Sequence, residues 1–265
     1  MPNKPSSPSF FIDIDGVLYG GGVPTEKGPQ VLEYLRERNF KFLLVTNTSR
    51  MTRAQIATKL FNLGYQVQEE EIFPTSIAAA EYLRKRFKKA DCFVIGDNSL
   101  RDVLEEHCHR TFVEEAPADA IVIGQSKWAD FHQIDIARRL VVNGAEVVAL
   151  HRDLTWPDGN VIRIALGPIV AAIESVIDQP VTIIGKPEKK FFTAALKHAR
   201  FQREHTIMIG DSVHSDIKGA IDSELKSLLV RTGNGINECI PADCCGELAT
   251  IADLPDWCEK NLSKP

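Results

Sequence analysis

The sequence lacks the features that would place this protein in a membrane, on nucleic acid or outside the cell. Its 265 residues contain no apolar run of the roughly 18 residues that a membrane-spanning helix needs, and residues 1–9 lack the apolar stretch of a secretion signal. With 31 Lys and Arg against 36 Asp and Glu, the chain has no broad positive field for nucleic acid or anionic lipid. We therefore expect a cytoplasmic protein that binds neither nucleic acid nor membranes.

Paired cysteine motifs are also missing, because none of the six cysteines belongs to a C-x-x-C pair. Reduced thiols are the expected state in the absence of a secretion signal. His107, Cys108 and His109 are metal-ligand types, but three consecutive residues of a helix point in different directions. We interpret them as surface residues at a helix end and not as a zinc site.

What is present is a regular alternation of strand-like apolar runs and helix-like amphipathic stretches. The predicted strands are 10–12, 40–45, 92–95, 120–123, 147–150, 181–184, 207–209 and 228–230; the predicted helices are 27–39, 52–63, 76–87, 100–106, 134–142, 169–176, 189–198 and 216–221. Such alternation predicts an α/β fold with parallel sheets and helices on both faces. A chain of this length favours two domains.

Polar residues directly follow four of the predicted strands. The four segments are Asp13-Ile14-Asp15-Gly16, Thr46-Asn47, Gly185-Lys186-Pro187, and Gly210-Asp211 with Asp216. Because the carboxyl ends of parallel strands gather along one edge of a sheet, where ligands bind, we expect all four segments to meet there. Each segment alone is compatible with a turn, a helix cap, a surface lysine or a calcium-type loop. Their order and shared placement indicate one site.

The carboxylates of this expected site favour a metal ion. Asp13, Asp15 and Asp211 in one crevice would repel one another unless a cation lay among them. Hard oxygen ligands beside a phosphate select Mg²⁺. Such an ion would let an anionic oxygen of Asp13 attack phosphorus, and Asp15 would then protonate the leaving oxygen.

The same segments supply donors for phosphoryl oxygens. A phosphoryl transition state spreads charge over its equatorial oxygens, and Thr46, Asn47 and Lys186 are residue types that can donate hydrogen bonds to them. Lys186 supplies the fixed positive charge. Gly16 loosens the turn after Asp15 and completes the predicted phosphate-binding set.

The four segments resemble, in order and spacing, the four motifs of the haloacid dehalogenase-like superfamily: Asp13-Ile-Asp-Gly-Val-Leu-Tyr, Thr46-Asn-Thr-Ser, Gly185-Lys-Pro and Gly210-Asp-Ser-x-x-x-Asp216. The resemblance implies that Asp13 is the nucleophile, Asp15 the general acid and base, and Lys186 the residue that holds the phosphate and Asp13. Thr46 and Asn47 would bind the phosphate. In the NagD-like branch of this superfamily, a second Asn usually stands where this sequence has Thr48. The difference puts a secondary contact of the turn in question but not the binding of phosphate.

The resemblance also implies the metal ligands and the domain layout. Mg²⁺ would be bound by the Asp13 side chain, the Asp15 backbone carbonyl and Asp211, with Asp216 in a supporting position. The long stretch between Asn47 and Lys186 leaves room for an inserted α/β cap, as in the NagD-like branch. We predict a Rossmann-like core of residues 1–87 and 183–265 and a smaller α/β cap of residues 88–182.

Within that branch, two segments look most similar to the phospholysine phosphohistidine inorganic pyrophosphate phosphatase group. They are Gly167-Pro-Ile-Val-Ala-Ala-Ile-Glu174 and Gly185-Lys-Pro-Glu-Lys-Lys-Phe-Phe192. In the cap, His151, Arg152 and Trp156 follow an apolar strand at a place where cap residues of this branch approach the substrate. We expect these three residues to contribute to substrate choice; an exposed loop without such a role is the alternative.

The resulting expectation is a Mg²⁺-dependent phosphatase that acts on a small phosphorylated metabolite through an aspartyl phosphate on Asp13. A phosphomutase built on the same core is one alternative, since it would return the phosphoryl group to its product. A phospho-accepting receiver-type signalling module is the alternative from another class, since it would hold the phosphoryl group without turnover. The sequence leaves both the physiological substrate and a homodimer open.

Overall fold

The computed structural model of the protein describes residues 8–127, 129–158 and 161–262, and strands alternate with helices through most of them. The strands are β1 (Ser9–Asp13), β2 (Tyr19–Gly20), β3 (Val23–Pro24), β4 (Lys41–Thr46), β5 (Ile72–Pro74), β6 (Asp91–Ile95), β7 (Arg110–Phe112), β8 (Ala120–Ile123), β9 (Glu146–Ala149), β10 (Thr155–Asp158), β11 (Val161–Ile164), β12 (Thr182–Ile183), β13 (Thr206–Gly210), β14 (Lys226–Val230) and β15 (Glu247–Leu248). This alternation confirms the predicted α/β class.

Helices lie between these strands along the chain, and the last helix follows the last strand. They are α1 (Gly28–Glu37), α2 (Arg53–Asn62), α3 (Thr75–Phe87), α4 (Asn98–Glu106), α5 (Phe131–Val142), α6 (Gly167–Glu174), α7 (Lys189–Ala199), α8 (Gly219–Asp222) and α9 (Leu254–Asn261), and a π-helical turn, Val213–Lys218, precedes α8. Over the described part of the chain, none of them has the length and apolar character that a bilayer span requires.

The chain divides into two compact units, and the first of them, the core unit, carries most of a six-stranded sheet. This unit comprises the residues up to Thr46, Arg53–Phe73, and the residues from Lys186 onward. The strand order is β15-β14-β13-β1-β4-β5, and the neighbours from β15 to β4 run parallel. Every residue of β1 is buried, as expected for a strand covered on both faces of a parallel sheet. The parallel core therefore agrees with the Rossmann-like prediction.

The second unit, here called the inserted unit, comprises Asn47–Thr52 and Pro74–Gly185. Its sheet has the order β12-β9-β8-β6-β7 with parallel neighbours, and β10 and β11 form a separate antiparallel hairpin. In this division α3 belongs to the inserted unit, whereas the sequence prediction starts the cap at residue 88. The predicted domain limits at residues 88 and 182 stay a prediction.

The interpretation of His109 as a surface residue is wrong. Its side chain is buried, the backbone N–H of Ala90 donates to Nδ1 at 3.1 Å, and Nε2 lies 3.0 Å from the carbonyl oxygen of Ala80. Both ring nitrogens thus have backbone partners, so the imidazole links α3 to the start of β6. Burial lowers the pKa of His109 below its ordinary value, and the nearby His107 and Arg84 add to this effect.

Candidate active site

A buried lysine at the start of the last core segment joins two carboxylates. The Lys186 ammonium lies 2.5 Å from Oδ1 of Asp13 and 2.6 Å from Oδ1 of Asp216. Asp13 ends β1 and Asp216 lies in the π-helical turn after β13, and β1 and β13 are parallel neighbours. All three residues are at most 6% exposed. The parallel pair of β1 and β13 therefore brings Asp13 and Asp216 together as the strand-end argument requires, whereas Lys186 follows β12, a strand of the other sheet, and joins them at the start of the last core segment.

Asp211 completes a cluster of carboxylates at the end of β13. One oxygen from each of Asp13, Asp211 and Asp216 lies within 4.8 Å of the others. Oδ2 of Asp211 accepts hydrogen bonds from the backbone N–H of Asn234 at 2.7 Å and from its side-chain amide at 3.1 Å. Gly16, at a φ of 86°, passes so close to Asp211 that a Cβ there would collide with the carboxylate. A side chain at position 16 is therefore excluded.

The electrostatics of this cluster suit a bound cation. Burial raises the pKa of Asp13 well above its ordinary value. The charge of Lys186 lowers this pKa in part, whereas the charges of Asp216 and Asp211 raise it further. Burial likewise raises the pKa of Asp211 to about 7, with Asp216 as the next cause. Burial alone would lower the pKa of Lys186, but the charges of Asp13 and Asp216 outweigh it and raise that pKa, so the ammonium keeps its proton.

One ammonium against three carboxylates leaves the cluster short of positive charge. Carboxylate oxygens are the donors that hard divalent cations prefer. The donor set and the charge deficit together fit a metal cation at Asp13, Asp211 and Asp216.

Asp15 has different surroundings from these three carboxylates. Its side chain is exposed, and its Oδ1 accepts a hydrogen bond from the hydroxyl of Tyr19, which is buried. Lys59 of α2 donates to the same hydroxyl at 2.6 Å. Burial, followed by the Asp15 charge, raises the pKa of the Tyr19 phenol above its ordinary value, so the phenol stays neutral. Asp15 thus does not share the buried trio, although the sequence argument grouped it with Asp13 and Asp211.

Several residues of the site escaped sequence reasoning. Asn234 holds Asp211, and the hydroxyl of Thr232 donates to the carbonyl oxygen of Gly16 at 2.5 Å. Tyr19 ends the first motif and Lys59 lies within a helix, and neither carries a signal at the level of residue type or spacing. Only the tertiary structure brings Thr232, Asn234 and Lys59 to these partners.

The predicted phosphate-binding residues of the second motif fall in different units. Thr46 ends β4 in the core unit and is buried. Asn47 belongs to the inserted unit, where its Oδ1 accepts from the hydroxyl of Thr75 at 3.1 Å and its amide lies 3.4 Å from Oδ2 of Asp153. The backbone N–H of Asp153 donates to Nδ1 of the buried His151 at 3.2 Å, and the same Asp153 oxygen lies 3.1 Å from that nitrogen. Within the inserted unit, Asn47 and His151 therefore both lie against Asp153.

The other two predicted specificity residues have clear partners in the inserted unit. Arg152 is exposed and its guanidinium forms two hydrogen bonds with the carboxylate of Glu174 in α6. The indole of Trp156 is partly buried, and the guanidinium of Arg50 lies 5.0 Å from its ring centroid, while Arg50 also contacts Asp97 at 3.3 Å. Stacking of this kind holds the indole in place.

Comparison with known proteins agrees with this geometry. Residues 10–108 match the family Haloacid dehalogenase-like hydrolase, and residues 183–254 match the family HAD-hydrolase-like. The chain is 30% identical over 249 residues to the 5'-nucleotidase YutF of Bacillus subtilis (strain 168), covering 94% of this chain and 96% of that protein. The chain belongs to the haloacid dehalogenase-like hydrolases. It is also 29% identical over 225 residues to the dihydroxyacetone phosphatase of Corynebacterium glutamicum (strain R), covering 85% of this chain and 81% of that protein.

Solved structures agree with the predicted NagD-like branch: a putative nagD protein superimposes on this haloacid dehalogenase-like hydrolase with a TM-score of 0.87 at 26% identity, covering 95% of this chain and 98% of that one. A double mutant of a thermostable NPPase from Geobacillus stearothermophilus superimposes with a TM-score of 0.86 at 28% identity, covering 93% of this chain and 97% of that one. NagD from E. coli K-12 shares the fold, with a TM-score of 0.84 at 22% identity over 94% of this chain and 98% of that one. The predicted likeness to the phospholysine phosphohistidine inorganic pyrophosphate phosphatase group stays a prediction.

Proposed function

We propose that this hydrolase is a Mg²⁺-dependent phosphatase that cleaves a small phosphorylated metabolite through an aspartyl phosphate on Asp13. The observation that carries the proposal is the buried contact of 2.5 Å between the Lys186 ammonium and Asp13, inside a cluster of carboxylates. A fixed ammonium beside a carboxylate nucleophile suits attack on a phosphate dianion, because it offsets the repulsion between two anions. The relatives named as a nucleotidase and a phosphatase act on substrates of this class.

The proposal gives each of these residues a role. A carboxylate oxygen of Asp13 forms a bond to phosphorus while the ester bond breaks, and Asp15 gives its proton to the leaving oxygen. Asp15 then takes a proton from the water that attacks the aspartyl phosphate, which frees Asp13 and releases inorganic phosphate. Lys186 orients Asp13 throughout and donates to the phosphoryl group. Asp13 and Asp216 already hold the Lys186 ammonium in place, so Lys186 needs no reorganisation to donate to the phosphoryl group.

The phosphate and metal sites complete the proposal. Thr46 and Gly16 of the core unit would bind the phosphoryl oxygens, and the predicted part of Asn47 in phosphate binding stays a prediction. The Asp13 carboxylate, the Asp15 carbonyl and Asp211 would hold Mg²⁺, with Asp216 in support. When bound, Mg²⁺ supplies positive charge that lowers the repulsion between the phosphate and the nucleophile. The fit rests on the three buried carboxylates and their charge deficit.

Substrate choice is assigned to the inserted unit. Trp156 is only partly buried and stacks with Arg50, so its indole presents an ordered surface for recognition. His151 is held beside Asp153 but is buried, and the salt bridge of Arg152 to Glu174 reduces the freedom of Arg152 to meet a ligand. The net charge of −5 favours small substrates over nucleic acid or anionic membranes. A cytoplasmic location is part of the same proposal.

The decisive experiment is the Asp13→Asn variant, assayed for steady phosphate release from p-nitrophenyl phosphate and from a panel of phosphorylated metabolites. We expect its turnover to be lost while its circular dichroism and melting temperature stay close to wild type. Asp256→Asn, an exposed carboxylate of α9, is the matched control and should retain full activity. Removal of divalent metal with EDTA should abolish activity, and added Mg²⁺ should restore it. An active Asp13→Asn enzyme would remove the proposed nucleophile.

The same assays separate the alternatives. A receiver-type module would be labelled once by a phosphodonor without steady phosphate release. A phosphomutase would convert a sugar phosphate into its isomer and release little phosphate, which product analysis would detect. No specific contact in the described chain favours either over hydrolysis, whereas an Asp15 that can exchange a proton with water favours turnover.

A further inference from the structure

A directed chain of hydrogen bonds ends on the Asp15 carboxylate. The Lys59 ammonium lies 2.6 Å from the Tyr19 hydroxyl, and that hydroxyl contacts Oδ1 of Asp15. An ammonium can only donate, so the phenol oxygen accepts from Lys59 and its own proton points to Asp15. The direction of both bonds is therefore determined by chemistry, and Oδ1 of Asp15 is the final acceptor.

The tyrosine at the centre of this chain is held rigidly. Its side chain is 5% exposed, and its backbone closes a tight turn in which the N–H of Gly16 donates to the Tyr19 carbonyl oxygen at 2.8 Å. The Lys59 ammonium also lies 4.1 Å from the centroid of the Tyr19 ring, a cation–π distance. By contrast, Asp15 itself is exposed, so its own packing does little to fix its rotamer.

We infer that Tyr19 and Lys59 are positioning residues that hold Oδ1 of Asp15 and thereby direct its Oδ2 to the proton transfers. The inference rests on the proposed role of Asp15 as general acid and base. In the first step the Oδ2 proton passes to the ester oxygen as its bond to phosphorus breaks; in the second, Oδ2 takes a proton from the attacking water. Neither Tyr19 nor Lys59 gains or loses a proton in these steps.

The test uses a series of substituted phenyl phosphates, which are similar in size but differ in the basicity of the leaving phenol. A general acid matters most when the leaving group is poor, so its loss makes kcat/KM depend more steeply on leaving-group basicity. We expect Tyr19→Phe to reduce kcat/KM for the most basic phenol by about 10- to 100-fold, a part of the full contribution of a general acid, and for p-nitrophenol by only about 3-fold. Lys59→Met should also make kcat/KM depend more steeply on the basicity of the leaving phenol. Lys59→Arg should restore most of the wild-type dependence.

Tyr65→Phe is the matched control. The Tyr65 hydroxyl is buried and donates to the carbonyl oxygen of Leu18, in the same turn, without contacting Asp15. Its loss should lower the melting temperature and leave the leaving-group dependence unchanged. A crystal structure of Tyr19→Phe adds a readout independent of activity, in which we expect Asp15 in more than one rotamer.

Failure of this inference and failure of the proposed function give different results. If Asp15→Asn makes kcat/KM depend more steeply on leaving-group basicity, but Tyr19→Phe and Lys59→Met do not, Asp15 remains the acid and the positioning role is overturned. If Asp15→Asn itself leaves the series unchanged, the acid assignment falls and the positioning role falls with it. Should Tyr19→Phe fail to fold, Lys59→Met and Lys59→Arg decide the question, because Lys59 is only partly buried.

Discussion

Lys186 has a structural role in the core unit besides the chemical role that we propose for it. Its ammonium is 3% exposed and contacts two carboxylates that are themselves buried. Breaking a buried ion pair from one side leaves an uncompensated charge in a medium that solvates it poorly. Asp216, which the family resemblance gave only a supporting position, is therefore a direct partner of Lys186 and part of the carboxylate trio.

We predict that Lys186→Met destabilises the metal-free protein by about 3–5 kcal/mol, because it leaves Asp13 and Asp216 facing each other without a cation. The double variant Lys186→Met/Asp216→Asn should lose less than the sum of the single changes, since it also removes one of the stranded charges. Urea unfolding in EDTA measures both values. Lys226→Met, an exposed lysine of β14, should change stability by less than about 0.5 kcal/mol. A Lys186→Met protein as stable as wild type would contradict the ion-pair account.

The elements that the sequence predicts well are those with continuous buried runs. Strand β1 is buried at every position and β4 at all but its first, so their apolar residues stand out without any knowledge of the fold. The sequence does not predict the β10–β11 hairpin, because β11 is exposed at every position and β10 contains a proline. Helix α9 was missed because only two of its eight residues are buried. In elements this short, a periodic pattern extends over too few positions to stand out.

The site follows the same division. Asp13 and Asp211 each follow a strand of the core sheet, and the parallel order of that sheet suffices to expect them at one edge. Lys186 follows β12 of the other sheet, so strand order alone does not place it beside Asp13. Tyr19 and Lys59 meet through the packing of α2 against the turn after β1, and Asn234 reaches Asp211 through a loop after β14. Contacts of that kind depend on side-chain geometry, which residue spacing does not encode.

At the scale of elements, we predict that the contact of His109 between α3 and the start of β6 weakens in acid. Its pKa in the folded protein lies below the ordinary value of 6.5, so the folded state resists protonation that the unfolded chain accepts. Stability is therefore fully present above about pH 6.5 and is lost as the pH falls towards the lowered pKa, by at most about 1.4 kcal/mol per pH unit. Melting temperatures from pH 8 to pH 5 should fall less steeply in His109→Gln than in wild type. His132→Gln, at an exposed position of α5, is the control and should keep the wild-type slope.

At the scale of the whole molecule, the chain passes between its two units at four peptide bonds. These bonds join Thr46 to Asn47, Thr52 to Arg53, Phe73 to Pro74, and Gly185 to Lys186. Two of them cut through predicted motifs, so the core unit keeps Thr46 and Lys186 while Asn47 and Gly185 belong to the inserted unit. A sequence motif marks a continuous stretch of chain, whereas a domain boundary reflects three-dimensional contacts, and the two need not coincide.

This division predicts that substitutions in the inserted unit change substrate ranking more than they change the chemical step. Trp156→Ala removes the indole that stacks with Arg50, and we expect it to shift the ratio of kcat/KM between two phosphorylated metabolites by about 10-fold or more, the range that pocket contacts supply. Trp156→Phe keeps an aromatic face and should shift this ratio less. Arg152→Ala should leave the ranking nearly unchanged, because its guanidinium is already engaged by Glu174 on an exposed surface. A metabolite panel assayed beside p-nitrophenyl phosphate measures all three variants. If Trp156→Ala kept the wild-type ranking of substrates, Trp156 would have no influence on substrate choice. Recognition would then depend on residues other than Trp156.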